Sequence, residues 1–536
     1  MNNMQKVLAA IIIGIVLVGA GIYLYSNTQK QRESSSKTGE YSKEVNNYPE
    51  AKASRVVELK NGDTYDLTAS IVKKNINGTE VKMLAYNGSI PGPLIKVDQG
   101  SEITLNFKND TDVDTALHSH GVRLDNQFDG VVDVTQEAIK VGESFTYKIK
   151  FPDEGIYWYH PHLREDYAQE LGLYGNYVVT PNQSDYWAEV DREEALFLDD
   201  ILIQNGKIAS FSKSGANHTL MGRYGNTMLI NGDDKYKLSI KQGERVRLYL
   251  TNAANTRVFN FSIPNTRMRL VGADNGKYEK EEWVDTVVIG PSERSIVEIW
   301  FEQSGDFQIV NKTPEKTYTL GTVAVATTPV TTSYLLVPRV NQDFINSLTA
   351  LRPLFTKPAD KTLNMTLSMM GNMMQQNENN EGMHNMHGGS MMSNEEMPLN
   401  DGTVQKIEWE DDMGQMNVMS DTKMINWKLV DTETRQENMD IKWQFKKGDK
   451  IKLKLINDPK APHPMQHPIH VHGQRFLVLN TNGVPNQNLV WKDTVLIQTG
   501  DTVELLVEMD NPGDWVLHCH IPEHMEAGMM SQFEVI

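Results

Sequence analysis

A sequence pattern that occurs three times sets the strongest limit on the fold of this 536-residue chain. Each copy has an alternating stretch, a glycine at its eighth position, a second alternating stretch and a closing asparagine, and the copies span residues 93–109, 236–252 and 441–457. Alternation of apolar and polar residues on both sides of a turn is typical of paired β-strands. The repeat therefore predicts an all-β chain with three similar sandwich or barrel domains.

A second repeat ends each unit, and it carries a histidine in only two of the three domains. Five residues after its glycine, the first unit has His160 and the third has His518, whereas the second has Val310. We interpret the middle unit as a spacer without metal ligands. The domains are placed at 55–183, 184–330 and 360–536, and the prolines of the linker 331–359 predict an extended crossing segment.

Four His-x-His pairs stand in the first and third units. Alternate residues of a strand point to the same face, so each pair predicts two imidazoles side by side. Eight imidazoles are too few to close the shells of three metal ions, which leaves coordination positions open for a ligand. The pairs are His118 with His120, His160 with His162, His470 with His472, and His518 with His520.

The only cysteine, Cys519, lies between two of these histidines, and a single cysteine excludes a disulfide within the chain. On a strand its side chain would point away from both neighbours. His524 and Met529 follow at steps of five, and His467 stands outside the paired spacing. Thiolate, two imidazoles and a thioether form the ligand set of a blue copper site. A buried thiol with incidental histidines is the alternative.

At these motifs the chain resembles the multicopper oxidases, the family of laccases and bacterial copper-efflux oxidases, over residues 55–536. The resemblance implies three cupredoxin-like Greek-key domains and four copper ions as cofactors: one type 1, one type 2 and two type 3. Position by position, it implies type 1 ligands at His467, Cys519, His524 and Met529, type 2 ligands at His118 and His470, and type 3 ligands at His120, His160, His162, His472, His518 and His520.

The resemblance also implies an oxidase reaction. A one-electron donor would reduce the type 1 copper, electrons would pass through Cys519, and four of them would reduce O2 to water. Asp129 matches an acidic position of the family and is expected to relay protons, unless it is only a surface turn residue. The family often has an acid directly after the last type 1 histidine; that place is Met525 here, so the next residue, Glu526, is the second candidate.

A methionine-rich insertion, residues 365–424, interrupts the third domain and resembles the insertion of copper-efflux oxidases. Thioethers are soft ligands that prefer Cu(I), although a disordered loop would have the same composition. We expect a substrate copper site near His463, Met465 and Met369. The leading hypothesis is Cu(I) oxidation for copper detoxification, with Fe(II) as another donor. A phenol-oxidising laccase and a non-catalytic copper-binding protein are the alternatives.

The first residues predict a membrane segment. Residues 7–25 carry no charge and are just long enough to span a bilayer. We expect a signal anchor at 1–30, or alternatively a cleaved signal peptide, and a flexible tether at 31–54. The resemblance implies a location outside the cytoplasm. A net charge of −18 argues against a nucleic-acid partner, and a monomer is expected.

Overall fold

A computed structural model describes residues 45–213, 215–330, 337–369, 383–386, 390–393 and 406–536. The expected anchor at 1–30, most of the tether at 31–54 and most of the methionine-rich insertion lie outside the described residues. Within the described ranges, no helix is both long enough and apolar enough to cross a membrane. The prediction of an all-β fold is confirmed, because nearly all regular structure there consists of strands.

Domain 1 is a sandwich of a five-stranded sheet, in the order β1-β4-β9-β8-β6, and a four-stranded sheet, in the order β3-β2-β5-β7. Inward-facing residues of both sheets, such as Leu67 and Val179, form one buried core. The strands are β1 Val56–Glu58, β2 Thr64–Ile76, β3 Thr79–Tyr86, β4 Leu94–Asp98, β5 Glu102–Asp110, β6 Leu117–His120, β7 Ser144–Lys150, β8 Gly155–Pro161 and β9 Gly175–Thr180.

Domain 2 packs a six-stranded sheet, β13-β10-β15-β20-β17-β18, against a five-stranded sheet, β14-β22-β21-β16-β19, and β11 pairs with β12 alone. The strands are β10 Arg192–Ile201, β11 Ile203–Gln204, β12 Lys207–Ile208, β13 Thr227–Ile230, β14 Tyr236–Gln242, β15 Arg245–Asn252, β16 Phe259–Ser262, β17 Arg267–Ala273, β18 Gly276–Val284, β19 Val287–Ile289, β20 Arg294–Trp300, β21 Gly305–Lys312 and β22 Thr317–Pro329.

Domain 3 has sheets in the orders β26-β23-β28-β34-β30-β31, with β32 beside β30, and β27-β36-β35-β29-β33. The two strands β24 and β25 pair within the insertion. The strands are β23 Lys361–Met369, β24 Met383–Met386, β25 Ser390–Ser393, β26 Ile425–Asp431, β27 Lys442–Phe445, β28 Asp449–Asn457, β29 His467–Val471, β30 Arg475–Thr481, β31 Val484–Pro485, β32 Trp491–Lys492, β33 Thr494–Ile497, β34 Thr502–Met509, β35 Gly513–Cys519 and β36 Met530–Val535.

The first sequence repeat is the chain crossing from one sheet of a sandwich to the other. Its two stretches are β4 and β5 in domain 1, β14 and β15 in domain 2, and β27 and β28 in domain 3. The glycine between them has a positive φ in every copy: 88° at Gly100, 85° at Gly243 and 94° at Gly448. Glycine reaches this backbone region without steric cost, which explains its fixed place in the turn.

The linker 331–359 differs from the expected extended segment. Its described part contains the helix Gln342–Ser347 and a 3-10 helix at Arg352–Thr356. Phe344, Leu348 and Leu351 pack on the outer face of domain 3 against residues that include Trp491. Their spacing of four and three residues is helical, and the prolines lie outside the α-helix, so the apolar face decided the structure.

The remaining helices are short. Their bounds are Asn126–Phe128 (3-10), Glu165–Ala168, Gly414–Met419, Asn438–Asp440 (3-10) and Pro522–Glu526.

Candidate metal centre

Two pairs of neighbouring strands carry the His-x-His motifs. In domain 1, β6 pairs with β8 so that His118 lies opposite His160. In domain 3, β29 pairs with β35 so that His470 lies opposite His518. Opposed residues of an antiparallel pair point to the same face. These two faces meet at the boundary between the domains, where the rings of His118 and His472 have centroids 4.2 Å apart.

The eight imidazoles form one continuous cluster, in which the shortest ring separation is 3.7 Å, between His120 and His470. The expected ligand assignment divides this cluster into one pair and two trios, and each group draws on both domains. The rings of His118 and His470 have centroids 5.8 Å apart. One trio has centroid separations of 5.6, 5.0 and 5.0 Å and consists of His120, His160 and His520. The other has separations of 5.1, 5.3 and 5.0 Å and consists of His162, His472 and His518.

The donor atoms of these imidazoles fit metal ions. One ring nitrogen from each of His162, His472 and His518 lies within 4.8 Å of the other two. Several buried ring nitrogens have no hydrogen-bond partner among the described residues, including Nε2 of His118 and Nδ1 of His120. Buried polar atoms without partners cost free energy, and imidazole is a ligand that suits copper. Bound copper ions would satisfy these atoms.

Asp129 fixes the orientation of two ligands from two domains. Its Oδ2 lies 2.8 Å from Nδ1 of His472, and its backbone oxygen accepts a hydrogen bond of 2.7 Å from Nδ1 of His118. These contacts direct Nε2 of each ring into the cluster, where Nε2 of His472 lies 2.9 Å from Nε2 of His518. Such outer partners set the tautomer and orientation of ligating histidines. Asp129 is fully buried, so the surface-turn alternative is excluded.

Asp493 has the same role on the opposite side of the cluster. Its backbone oxygen accepts a hydrogen bond of 2.8 Å from Nδ1 of His470. Its Oδ1 lies 3.1 Å from Nε2 of His120, and the Thr494 hydroxyl lies 2.9 Å from the same nitrogen. His120 therefore keeps Nδ1, rather than Nε2, free to bind a metal ion.

Cys519 lies on the other face of its strand. It stands opposite Ile469, one residue out of phase with His470 and His518. Its Sγ lies 3.6 Å from Nδ1 of His467 and 3.9 Å from Nδ1 of His524. Met529 is fully buried in the same cluster, and its backbone oxygen accepts a hydrogen bond from the Cys519 N–H.

Burial prepares these side chains for metal binding. It lowers the pKa of His467 to about 3, and that of His518 to about 4. Both imidazoles are therefore neutral at pH 7, the form that binds metals. Burial also raises the pKa of the Cys519 thiol well above its usual range. Copper binding at Cys519 must therefore displace a proton.

Trp427 and a segment of domain 2 cover the Cys519 side. The Trp427 ring stacks on His524 at a centroid distance of 4.2 Å, and its Nε1 donates to the backbone oxygen of Thr219. Leu220 and Met221 belong to the same buried cluster as Cys519. As a result, His524 has no exposed surface.

The three expected substrate-site residues lie in or beside the buried cluster that contains Cys519 and Trp427. Met465 is fully buried in the cluster with Cys519, and Met369 packs against that cluster. His463 is half-buried, 6.4 Å from Trp427 between ring centroids. Its Nε2 has no partner among the described residues, and burial lowers its pKa to about 4. Met413, Met416 and Met424, from the end of the insertion, pack against the same cluster.

Glu526 lies in a group of buried acids between domains 1 and 3. Burial, and then the charge of Asp166, raises the pKa of Glu526 to about 7. Burial also raises the pKa of Glu523 to about 8 and that of Glu165 well above its usual range. Glu165 reaches farther inward than Glu526, because its Oε1 lies 3.6 Å from Nδ1 of His162.

Sequence reasoning did not find Asp493, Trp427 or Glu165. Asp493 follows a short strand in Trp-Lys-Asp-Thr without a motif of its own, and Trp427 is one of nine tryptophans. Glu165 could have been suspected, because it comes three residues after His162. The other two depend on contacts across domain boundaries.

The fold and the site together define a copper-binding oxidoreductase of three cupredoxin-like domains. Three models of the multicopper oxidase family match the chain, at residues 69–184, 199–337 and 396–536. The chain belongs to the multicopper oxidases.

Known relatives match nearly the whole chain. Copper resistance protein A of Escherichia coli is 24% identical over 88% of this chain and 93% of its own length. Laccase-5 of Trametes villosa is 28% identical over 87% and 88%. The solved multicopper oxidase from Campylobacter jejuni, titled a metallo-oxidase, has a TM-score of 0.64, with 22% identity, and covers 91% of this chain and 98% of its own.

Proposed function

We propose that this multicopper oxidase oxidises Cu(I) outside the cytoplasm, couples the oxidation to the four-electron reduction of O2 to water, and thereby detoxifies copper. The observation that carries the proposal is the group of methionines that lie in or against the buried cluster of Cys519, among them Met413, Met416 and Met465. Thioethers are ligands that Cu(I) prefers. The similarity to Copper resistance protein A also supports a role in copper detoxification.

We further propose that the site holds four copper ions in the family's arrangement. His467, Cys519, His524 and Met529 would hold type 1 copper, and His118 with His470 would hold type 2. The type 3 pair would be held by the two trios, His120, His160 and His520, and His162, His472 and His518. Bound copper supplies the one-electron redox steps and the binding of O2.

The chain itself supplies a short route for electrons. Cys519 faces the proposed type 1 site, and its immediate neighbour His518 faces the cluster of eight imidazoles. Because the two residues share a peptide bond, the covalent path between the sites stays within one strand end. The fully buried walls exclude water from this path.

The cover favours a metal ion as donor. Electron transfer to a blue site needs the donor close to a ligand, and both imidazoles here are buried, with His467 1% and His524 0% exposed. A phenol ring has no free histidine edge to contact. A single Cu(I) ion can pass between thioethers, which are ligands that it prefers. We place the donor near His463, Met465 and Met369. Fe(II) is the second metal donor.

Proton delivery is assigned to two groups of acids. Asp129 contacts His472, and Glu526 lies in a second group of acids with Glu165 and Glu523. A carboxyl with a pKa near 7 can both hold and release a proton at neutral pH. Asp129 thus has a positioning role in addition to the proposed relay.

Oxygen uptake by the copper-loaded chain, with Cu(I) and a small phenol in parallel, tests the substrate. We expect faster uptake with Cu(I). Replacing Met413, Met416 and Met424 by Leu should slow Cu(I) oxidation, because leucine keeps the volume and removes the sulfur, and should spare phenol oxidation. Met268→Leu, buried in the core of domain 2, is the matched control.

The alternatives make different predictions in this experiment. The similarity to Laccase-5 favours phenol oxidation as the second candidate, and faster uptake with the phenol in wild type would support it. A blue protein that consumes no oxygen with Cu(I), Fe(II) or phenol would favour copper storage. Cell fractionation tests the location, since the uncharged segment 7–25 is proposed to anchor the chain to the membrane.

A further inference from the structure

The middle domain, which carries none of the proposed copper ligands, contributes a buried arginine to the cluster boundary. Arg294 opens β20 and has no exposed surface. Its Nη1 donates to Oδ1 of Asp493 at 2.5 Å, and its Nη2 donates to Oδ2 of the same carboxylate. Its Nε donates to the backbone oxygen of Ile156 in domain 1 at 3.0 Å. One guanidinium thus joins all three domains.

The residue that Arg294 holds, Asp493, contacts two proposed copper ligands, one through its carboxylate and one through its backbone oxygen. Oδ1 of Asp493 lies 3.1 Å from Nε2 of His120, and the backbone oxygen of Asp493 accepts from Nδ1 of His470. His120 comes from domain 1 and His470 from domain 3. A bidentate arginine–carboxylate pair fixes both the position and the plane of the carboxylate. Arg294 therefore fixes the carboxylate that contacts His120 and anchors the residue whose backbone oxygen holds His470.

A second carboxylate fixes Arg294 in turn. The backbone N–H of Arg294 donates to Oδ1 of Asp274 at 2.8 Å, and the Asp493 N–H donates to Oδ2 of Asp274 at 3.3 Å. The Lys492 ammonium lies 3.3 Å from the same Oδ2. The two buried carboxylates thus face two cations. Removal of one partner from a buried pair leaves an uncompensated charge, which is strongly destabilising for the local arrangement.

The glycine of the first His-x-His-Gly motif leaves room for the ion pair between Arg294 and Asp493. Gly121 has φ +81°, and a Cβ there would lie 2.1 Å from Oδ2 of Asp493 and 2.9 Å from Nη2 of Arg294. The backbone beside His120 therefore approaches the ion pair directly. This close approach of the backbone does not depend on the hydrogen bonds of Asp493, and it also places the ion pair beside His120.

We propose that Arg294 is a positioning residue of the three-copper cluster: through Asp493, the copper-free middle domain sets the geometry of His120 and His470 and so determines whether the cluster assembles. The inference rests on the proposed assignment of these two histidines as type 3 and type 2 ligands. It gives domain 2 a function beyond that of a spacer.

Copper content and spectra of purified Arg294→Met and Arg294→Lys chains test this role. We expect Arg294→Met to keep the blue thiolate-to-copper band and fall from about four coppers per chain to about one, with loss of the type 2 electron paramagnetic resonance signal. Arg294→Lys keeps the positive charge but cannot make the bidentate pair with Asp493. This variant should therefore hold more copper than Arg294→Met and show a shifted type 2 signal.

Arg257→Met is the matched control. Arg257 is equally buried, pairs with Asp200 and Glu410, and also joins domains 2 and 3, but it contacts none of the proposed ligands. We expect this variant to keep its copper. Loss of the blue band would indicate that Arg294→Met does not fold. In that case the copper contents of Arg294→Lys and Arg257→Lys are compared, and a lower content in Arg294→Lys supports the positioning role.

Three outcomes would overturn the inference. Full copper content with an unchanged type 2 signal in both Arg294 variants would remove the positioning role. Equal copper loss in the Arg257 variant would show that any disturbed contact between the domains causes the loss, without a specific role for Arg294. A wild-type chain that binds no copper would overturn the proposed function, and the inference with it, so the two failures are distinguishable.

Discussion

Oδ2 of Asp129 in domain 1 lies 2.8 Å from Nδ1 of His472 in domain 3. The contact crosses the boundary between domains 1 and 3 at which the copper cluster is proposed. Both residues are buried, so no water can replace either partner without a rearrangement. The docking of domain 1 against domain 3 therefore also orients His472.

Asp129→Ala should therefore lower copper affinity and oxygen uptake together. The substitution removes the acceptor for His472 and leaves its Nδ1–H without a partner, so the ring can turn its other nitrogen away from the metal. Loss of such an outer partner typically costs about 10- to 100-fold in metal affinity or activity. Competition with a copper chelator and oxygen uptake measure the two effects.

Asp129→Asn separates positioning from proton transfer, because an amide oxygen still accepts from His472 but the side chain cannot ionise. We expect it to keep copper and to lose oxygen reduction. Asp431→Ala is the control, since Asp431 is buried and accepts from Trp443 far from the proposed ligands. Full activity of Asp129→Asn would remove the relay role and leave the positioning role.

Cys519→Ser should abolish the blue colour and the oxidase activity. A serine oxygen does not give the thiolate-to-copper transition, and the substitution breaks the proposed path from Cys519 to His518. No disulfide is lost, because this is the only cysteine. Absorption spectra and Cu(I)-dependent oxygen uptake measure the effect. A variant that still reduced O2 with Cu(I) at the wild-type rate would contradict the proposed electron path.

The sequence predicted those features that depend on local spacing. Strand alternation puts His518 and Cys519 on opposite faces, and the structure separates them in that way. The turn glycines likewise follow from local backbone geometry. Contacts between domains are different, because nothing in the spacing of Arg294, Asp493 or Trp427 indicates which distant residue each one meets. The helix Gln342–Ser347 was not predicted, because the prolines elsewhere in the linker favour an extended segment.

Deletion of residues 372–397 should lower Cu(I) oxidation and spare or increase phenol oxidation. The deleted stretch holds methionines that are expected to collect Cu(I), so its removal should lower the supply of Cu(I) to the proposed donor site. Oxygen uptake with each donor measures the change. Replacement of the same stretch by a Gly/Ser linker of equal length is the control for loop closure. Equal loss with both donors would make the insertion structural.

Glu526→Gln should stabilise the protein at pH 8 more than at pH 5. Burial and Asp166 raise the pKa of Glu526 from 4.5 to about 7. Above pH 7 the folded chain must ionise a half-buried carboxyl that the unfolded chain ionises freely, so this group destabilises the fold. Between pH 7 and 4.5 that cost disappears, because the folded state binds the proton more tightly.

Glutamine removes this cost at every pH. The gain in free energy of unfolding over wild type should grow as pH rises from 4.5 to 7 and then level off at on the order of 1–2 kcal/mol. Urea unfolding of the copper-free chain at pH 5 and pH 8 measures it. Glu534→Gln, on the half-exposed face of β36, controls for the substitution itself. A gain that is equal at both pH values would show that Glu526 does not take up its proton on folding, and it would remove the carboxyl from the proposed proton supply.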